Sequence, residues 1–496
     1  MSDKTASSTI KTIALFSIGI VALLLRSVSI SKNSLWLDEM TSLEVASQAI
    51  GDILSAKNFD SHTPPLYYVI LKGWFSIFGK SETTLRSLSA FADMLNVMLI
   101  FLVSKRFLGH IKALIATAFY ATSSFAIYFA NEGRMYSLLI LFVLTTIFFA
   151  LRYFHTSLKR NLLLVAAVAI LGIYLHYYYA IFLVGLTLGL TFEYQTQRKM
   201  LRMWWVLMVC VALCYLPWIG VLSGLTSGEG QVFRTFLFSV LPYAFFRFVA
   251  GYAVMPLTLE LKQNMSLALR THILELAPYF LLHGVSFALG CYALIKRKNW
   301  LIFFTLIAPP LLATLISLKI PMLGERYLVV IFPSFLLTCL IGFSEIKRIR
   351  LRNLAIGFAL ILHCYALMMH FSNSQFGFEQ WRDAVTYINH QNQDAVVVVN
   401  PDFCEKLVAH YGVPEANIIA HNYVAKDGFS ETLKQLHSHP NIQNSQQFVL
   451  IERGSAPSLE TFFKSHGATI RSSTFFPFEN GIRVVYFSLS PIGSNG

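Results

Sequence analysis

The sequence predicts an all-α polytopic membrane protein of about eleven transmembrane helices, followed by a small α/β soluble domain. Three observations lead there. The 496 residues are 55% hydrophobic and only 13% charged, with a mean hydropathy of +0.57, too apolar for an ordinary soluble domain. The apolar residues fall in stretches of the length that crosses a bilayer, roughly 17 to 25 residues. After residue 372 the composition becomes that of a soluble domain.

Eleven stretches qualify or nearly do, near residues 12–30, 84–104, 111–130, 136–153, 162–178, 179–194, 203–222, 273–295, 300–317, 327–344 and 353–372. The first, with Lys4 and Lys11 ahead of an apolar core from Ile13 to Leu25, has the outline of a secretory signal. No small-x-small cleavage pattern follows, since Arg26-Ser27-Val28 comes next, so it reads as an uncleaved helix. Two long segments, 31–83 and 223–272, interrupt the hairpin rhythm, and loops of that length are usually functional. In the first, Pro64-Pro65 precedes the apolar run Leu66 to Phe78, too short for a comfortable span and suited to a helix lying on the membrane surface. The second holds Phe236 to Met255, where Arg247 in the middle and the parity of the basic connectors favour an interfacial or re-entrant segment over a crossing.

Orientation follows from the cations. The connectors 105–112, 152–161, 195–202, 296–298 and 347–352 carry sixteen Lys or Arg and no Asp or Glu, with Glu193 and Glu345 just outside them. All five fall on one side of an eleven-span count, together with Lys4 and Lys11. Loops rich in Lys and Arg stay in the cytoplasm, so the sequence predicts a cytoplasmic amino terminus and an extracytoplasmic tail, in a cytoplasmic (inner) membrane. The net charge of +13 is therefore topogenic: residues after 372 hold eight basic and eleven acidic side chains. No clustered basic face remains for phosphates of nucleic acid, which is excluded as a partner. Only Cys404 of the six cysteines lies in the tail, leaving neither a disulfide framework nor a CxxC pattern.

The predicted organisation is a membrane module over residues 1–372 and an extracytoplasmic α/β domain over 373–496. In the latter, Glu379 to Gln391 has helical spacing and Ala395 to Val399 is a β-branched run. Asp402 to Tyr411 opens on a carboxylate suited to capping. A strand at Phe448 to Glu452, a helix near Ser458 to His466 and a hairpin from Ile470 to Leu489 turned at Asn480-Gly481 complete it.

The candidate chemistry gathers at the predicted outer border. Two adjacent carboxylates, Asp38 and Glu39, follow the first span, where an unmatched charge is costly. Held at the water boundary they suit general-base work on an acceptor hydroxyl; the plainer reading is a solvated pair ending a helix. His62, just before Pro64-Pro65, reads as a hydrogen-bonding residue, an acid or a metal ligand, and His176, ahead of Tyr177, Tyr178 and Tyr179, shares that ambiguity. Glu132, Arg134 and Tyr136 occupy a short outer turn, and Glu325, Arg326 and Tyr327 open the tenth span. Each set puts an Arg beside a carboxylate and a tyrosine, which fits a lipid phosphate through bidentate bonds or a local pair that snorkels. Two such sets on the face of Asp38 favour a site, with Lys72 a weaker third cation.

The order of Leu37-Asp38-Glu39, His62-Thr63-Pro64-Pro65-Leu66-Tyr67-Tyr68 with Lys72-Gly73-Trp74, Leu85-Arg86-Ser87 and Glu132-x-Arg134-x-Tyr136 resembles the GT-C membrane glycosyltransferases. Within that fold it is most similar to the protein-mannosyltransferase and aminoarabinose-transferase relatives that use polyprenyl-phosphate sugars. These motifs cover roughly residues 12–180 and return at Arg326-Tyr327. The resemblance implies an inverting transfer from a polyprenyl-phosphate-linked sugar donor, among membrane lipids, to an extracytoplasmic acceptor. In it Asp38 deprotonates the acceptor, Glu39 helps position it, and Arg134 and Arg326 neutralise the leaving phosphate. In the aminoarabinose enzymes a Lys precedes the proline of the motif, where Thr63 stands here, so other cations must serve. The resemblance leaves a divalent metal requirement open. The rival class, a transporter or flippase of a lipid-linked substrate, predicts ionisable groups near the bilayer midplane. A catalytically silent scaffold would make Asp38 dispensable.

Overall fold

The structure, a computed structural model, describes residues 2–55, 63–225, 239–320, 322–373, 376–377, 379–422, 427–454, 458–476 and 481–489. The chain forms two compact units, one of residues 1–30, 42–255 and 269–372, the other of residues 31–41, 256–268 and 373–496. Two short segments, 31–41 and 256–268, thus fold with the carboxy-terminal residues.

In the first unit the predicted spans are helical over most of their length; of Phe236 to Met255, residues 236–238 lie outside the described residues and the helix runs Val240–Ala250. Among the described residues seven helices are long and apolar enough to cross a bilayer, including Thr9–Ser27, Glu82–Leu108, Tyr136–Thr156, Ile273–Lys296 and Ile349–Ser372. His110–Ala121 and Ser124–Ala130 add a pair bent by 57°. The chain is a polytopic membrane protein. The stretches at 162–178, 179–194 and 203–222 yield the shorter helices Lys159–Ile173, Tyr177–Glu193 and Arg198–Cys214. They are short because the turn at residues 174–176, the basic connectors and a break at Tyr215, after which Leu216–Leu225 resumes the helix, cut them. Pro64-Pro65 is followed by a helix over Leu66–Phe78, as predicted.

Helices meet closely where glycine removes the side chain. A Cβ on Gly342 would run into the Ser286 carbonyl, and one on Gly290 into that of Thr338, so Ile273–Lys296 and Phe332–Glu345 pack backbone to backbone. Polar staples do the rest. Arg26 meets Asp93 at 2.6 Å and donates to the Ala121 carbonyl at 2.7 Å, at the break of the bent pair. Tyr120 donates to the other Asp93 oxygen at 2.5 Å. Arg247, fully buried in Val240–Ala250, donates to the carbonyls of Gly251 and Val254 at 3.1 and 3.2 Å. A backbone that leaves its helix inside a bilayer must find such donors. Asp93 is fully buried near the middle of the long helix Glu82–Leu108.

The second unit contains a five-stranded sheet, ordered β2-β1-β3-β5-β4, with β1 Val396–Asn400, β2 Ile418–Ala420, β3 Gln447–Arg453, β4 Ala468–Phe476 and β5 Ile482–Leu489. β2, β1 and β3 are parallel, and β5 runs antiparallel to β3 and β4. β1 is buried along its whole length, as a central parallel strand must be. Val398, Leu450, Phe448, Phe463 and Phe487 share one core. The helix expected from Asp402 begins at Glu405, after a 3₁₀ turn over Asp402–Cys404, because Asp402 spends its carboxylate on the Phe403 amide, 2.9 Å away. β2 and the helix Gly428–Ser438 were not foreseen. Of the predicted hairpin turn, Asn480 lies outside the described residues.

Candidate active site

The helix Glu82–Leu108 sets the membrane-side site. Ser81 caps it, accepting from the Thr84 amide at 3.0 Å. Ser89, Asp93 and Asn96 follow at the spacing that lines one helical face. Ser89 donates to the Arg134 carbonyl at 3.0 Å and Asn96 to that of Ser137 at 2.9 Å, gripping the turn over residues 131–137 from both ends. Gly133 lies against Leu85 with no room for a Cβ. The Arg134 amide closes the turn on the Glu132 carbonyl at 2.8 Å.

That turn buries Glu132 completely and Arg134 almost so. Arg134 Nη1 donates to Ser42 Oγ at 3.0 Å and to the Tyr68 hydroxyl at 3.2 Å. Tyr136, at the head of Tyr136–Thr156, faces Tyr327 and His176 with ring centroids 6.5 and 6.3 Å away. His176 and Tyr178 lie 5.2 and 5.3 Å from the Tyr327 ring. His176 caps Tyr177–Glu193 by accepting from the Tyr178 amide at 3.1 Å, which leaves its other nitrogen as the donor when the ring is neutral. Tyr136, two residues after Arg134, thus faces Tyr327, the residue after Arg326. Two motifs almost two hundred residues apart therefore meet through their tyrosines.

Arg326 is 23% exposed and sits 4.0 Å from Glu325. Tyr178 anchors this loop by donating to the Met322 carbonyl at 2.7 Å. Sequence reasoning missed Tyr252, whose ring packs 4.4 Å from Tyr128. Burial and Glu325 push its hydroxyl well above the usual tyrosine range, opposed by Arg326 and Arg247, so it stays a donor. Among the described residues its buried hydroxyl meets no hydrogen-bond partner, which such groups rarely tolerate. The aromatic residues around it carried no motif, and only their density near Arg247 could have signalled the site.

Lys72 caps a helix end, donating to the Gln48 carbonyl at 2.7 Å. His62 lies outside the described residues. Asp38 and Glu39 stand in the first turn of the helix Leu37–Ser47, part-exposed and buried respectively, and belong to the second unit. Ser42, the partner of Arg134, comes four residues after Asp38 in that helix. Among the described residues no three His, Cys, Asp or Glu side chains gather as metal ligands do. A cavity of about 500 Å³ lined by Leu23, Ser27, Trp74, Phe91 and Met94 is apolar and holds none of the predicted residues.

The dolichyl-phosphate-mannose-protein mannosyltransferase family matches residues 62–220. The chain is similar to ArnT from Cupriavidus metallidurans in the apo state, 12% identical with a TM-score of 0.60 over 97% of this chain and 98% of that one. The same protein bound to undecaprenyl phosphate matches with a TM-score of 0.52 at 12% identity, over 97% and 98% of the two chains. The oligosaccharyltransferase of Archaeoglobus fulgidus, in complex with zinc and sulfate, is 13% identical with a TM-score of 0.52, over 89% of this chain and 68% of that one. No curated protein sequence matches.

Proposed function

We propose that the chain is an inverting glycosyltransferase that moves a hexose or pentose from a polyprenyl-phosphate carrier to an extracytoplasmic lipid, glycan or protein. The observation that carries this reading is that Tyr136, two residues from Arg134, faces Tyr327, the residue after Arg326, with ring centroids 6.5 Å apart and the His176 ring beside both. A phosphate ester of a membrane lipid needs fixed cations close to the bilayer, and guanidinium groups supply them without losing charge. The undecaprenyl phosphate bound to ArnT and the family match support the lipid-linked donor.

In the proposed step Asp38 takes the proton of the acceptor hydroxyl as its oxygen attacks the anomeric carbon from the face opposite the phosphate. The new C–O bond forms while the bond to the phosphate oxygen breaks, and the electron pair leaves with the polyprenyl phosphate. Arg134 and Arg326 stabilise the charge developing there, and Tyr252 offers a neutral donor. Glu39 orients the acceptor side, while Glu132, His176, Tyr136 and Tyr327 shape the pocket. The basic connectors support an amino terminus in the cytoplasm and a domain after residue 372 outside, in a cytoplasmic membrane.

A transporter reading draws on the buried Arg26–Asp93 pair. Tyr120 and Asn96 also hold that carboxylate, at 2.5 and 3.3 Å, which suits a staple better than a moving proton. The deciding experiment offers radiolabelled polyprenyl-phosphate sugars to purified wild type and Asp38→Asn. Transfer by wild type and a loss of about 100-fold or more in the variant is expected, the scale of a missing general base. Full turnover by the variant would remove Asp38 from that role, and no turnover of any donor by either protein would favour the transporter.

A further inference from the structure

In an open α/β sheet, ligands bind beyond the carboxyl ends of the strands, where the strand order reverses. In this sheet the reversal lies between β1 and β3, since the chain leaves β1 for β2 on one side and returns to β3 on the other. At the carboxyl end of β3, Arg453 is joined through Glu379 to residues 33–35 of the same chain, which the domain holds one after another.

Arg453, the last residue of β3, forms an ion pair with Glu379 at 2.6 Å. Glu379 is fully buried and also accepts from the Trp381 indole at 2.8 Å. Thus fixed, its main-chain carbonyl accepts a hydrogen bond from the Ser34 hydroxyl. The Tyr411 hydroxyl accepts from the Leu35 amide at 2.6 Å. Arg382, its guanidinium 5.7 Å from the centre of the Tyr411 ring, donates to the Asn33 carbonyl at 3.4 Å. Ser34, Leu35 and Trp36 are buried, and the helix that carries Asp38 starts at Leu37. The Met40 amide donates to the Trp36 carbonyl at 3.0 Å, so the first turn continues directly from the held segment.

We infer that the α/β domain is a positioning device for Asp38. Its Tyr411, Glu379 and Arg453 fix residues 34 and 35, and with them the origin of the helix that presents the base. Pre-organisation of this kind matters because a catalytic carboxylate displaced by a fraction of an ångström loses its alignment with the attacking hydroxyl. The inference rests on the assignment of Asp38 as the base, and its test separates the two.

The full-length chain in lipid nanodiscs is compared as wild type, Asp38→Asn, Tyr411→Phe and Ser34→Ala. Steady-state transfer is measured together with hydrogen exchange of the peptide spanning residues 31–41 and of the sheet strands. Tyr411→Phe keeps the ring, and Ser34→Ala changes the held segment and not the domain. Each is expected to raise exchange in 31–41 with the strands unchanged. Each should lower kcat by about 3- to 10-fold, the worth of one such hydrogen bond, at unchanged donor KM. If Asp38→Asn is inactive while both of the other variants keep wild-type kcat and exchange, the positioning role is overturned and the base survives. If Asp38→Asn turns over normally, the base assignment fails. Exchange in 31–41 then still decides whether the domain holds the segment, and unchanged exchange overturns that as well.

Discussion

The two units bury opposite charges. Among the described residues the helical unit buries Arg26, Arg86, Arg134 and Arg247 against only two acids, Asp93 and Glu132. The unit built on the sheet buries Glu39, Glu379 and Glu452 and no lysine or arginine. The difference has two causes. Broken helices in a bilayer leave carbonyls that need donors, and arginine brings five on one side chain; Arg26, Arg86 and Arg247 all donate to main-chain carbonyls. The sheet satisfies its own backbone and needs acceptors at its margins: Glu452 takes the Leu459 amide at 2.6 Å and the Ser458 hydroxyl at 3.0 Å.

The contrast breaks most violently when a matched pair is unbalanced. Asp93→Asn strands the Arg26 guanidinium inside the bundle, and losing one partner of a buried pair costs about 3–5 kcal/mol. Thermal melting in detergent should drop sharply; an unchanged Tm would mean that the pair is not a staple. Next comes Arg134→Lys, which keeps the charge and loses the planar fork. A fall in kcat/KM of about 10- to 100-fold is expected, read from transfer kinetics, and wild-type kinetics would place the phosphate elsewhere. Lys72→Met removes a cation from a helix end and should cost about 0.3–1 kcal/mol of stability, with transfer nearly unchanged. An order-of-magnitude loss of transfer would return Lys72 to the phosphate site.

The smallest effect concerns the sheet unit alone. His421 is buried, bonded to Thr432 at 2.9 Å, and burial lowers its pKa from the usual 6.5 against the pull of Asp402. The native state then binds fewer protons than the unfolded one, so stability is level above about pH 6.5 and falls as the pH is lowered through it. Melting of the full chain at pH 7.5 and 5.5 should show the slope, and His421→Phe should flatten it.

Apolar runs and basic connectors placed the membrane helices well, because length and hydropathy are local properties. Leu66–Phe78 could be read residue for residue, since Pro65 and Gly79 punctuate both ends. The arginines were legible through their neighbours, as Glu132 and Glu325 stand beside them. What stayed hidden was long-range. Tyr252 gains its meaning from Arg326, and Asp93 from Arg26, pairings that no window of sequence contains. Arg247 read as an obstacle to a span and turned out to cap the end of its own helix. β2 was missed because three residues carry too short a pattern to announce a strand.

The joining of residues 31–41 to the carboxy-terminal fold has a practical corollary for anyone dissecting the molecule. A cut after residue 372 would not yield a pair of finished pieces. The tail expressed by itself would meet water with the Tyr411 hydroxyl and the Glu379 carbonyl deprived of their partners, and the helices left behind would carry a loosened opening loop. Swapping tails between relatives would succeed only when that loop travels with them.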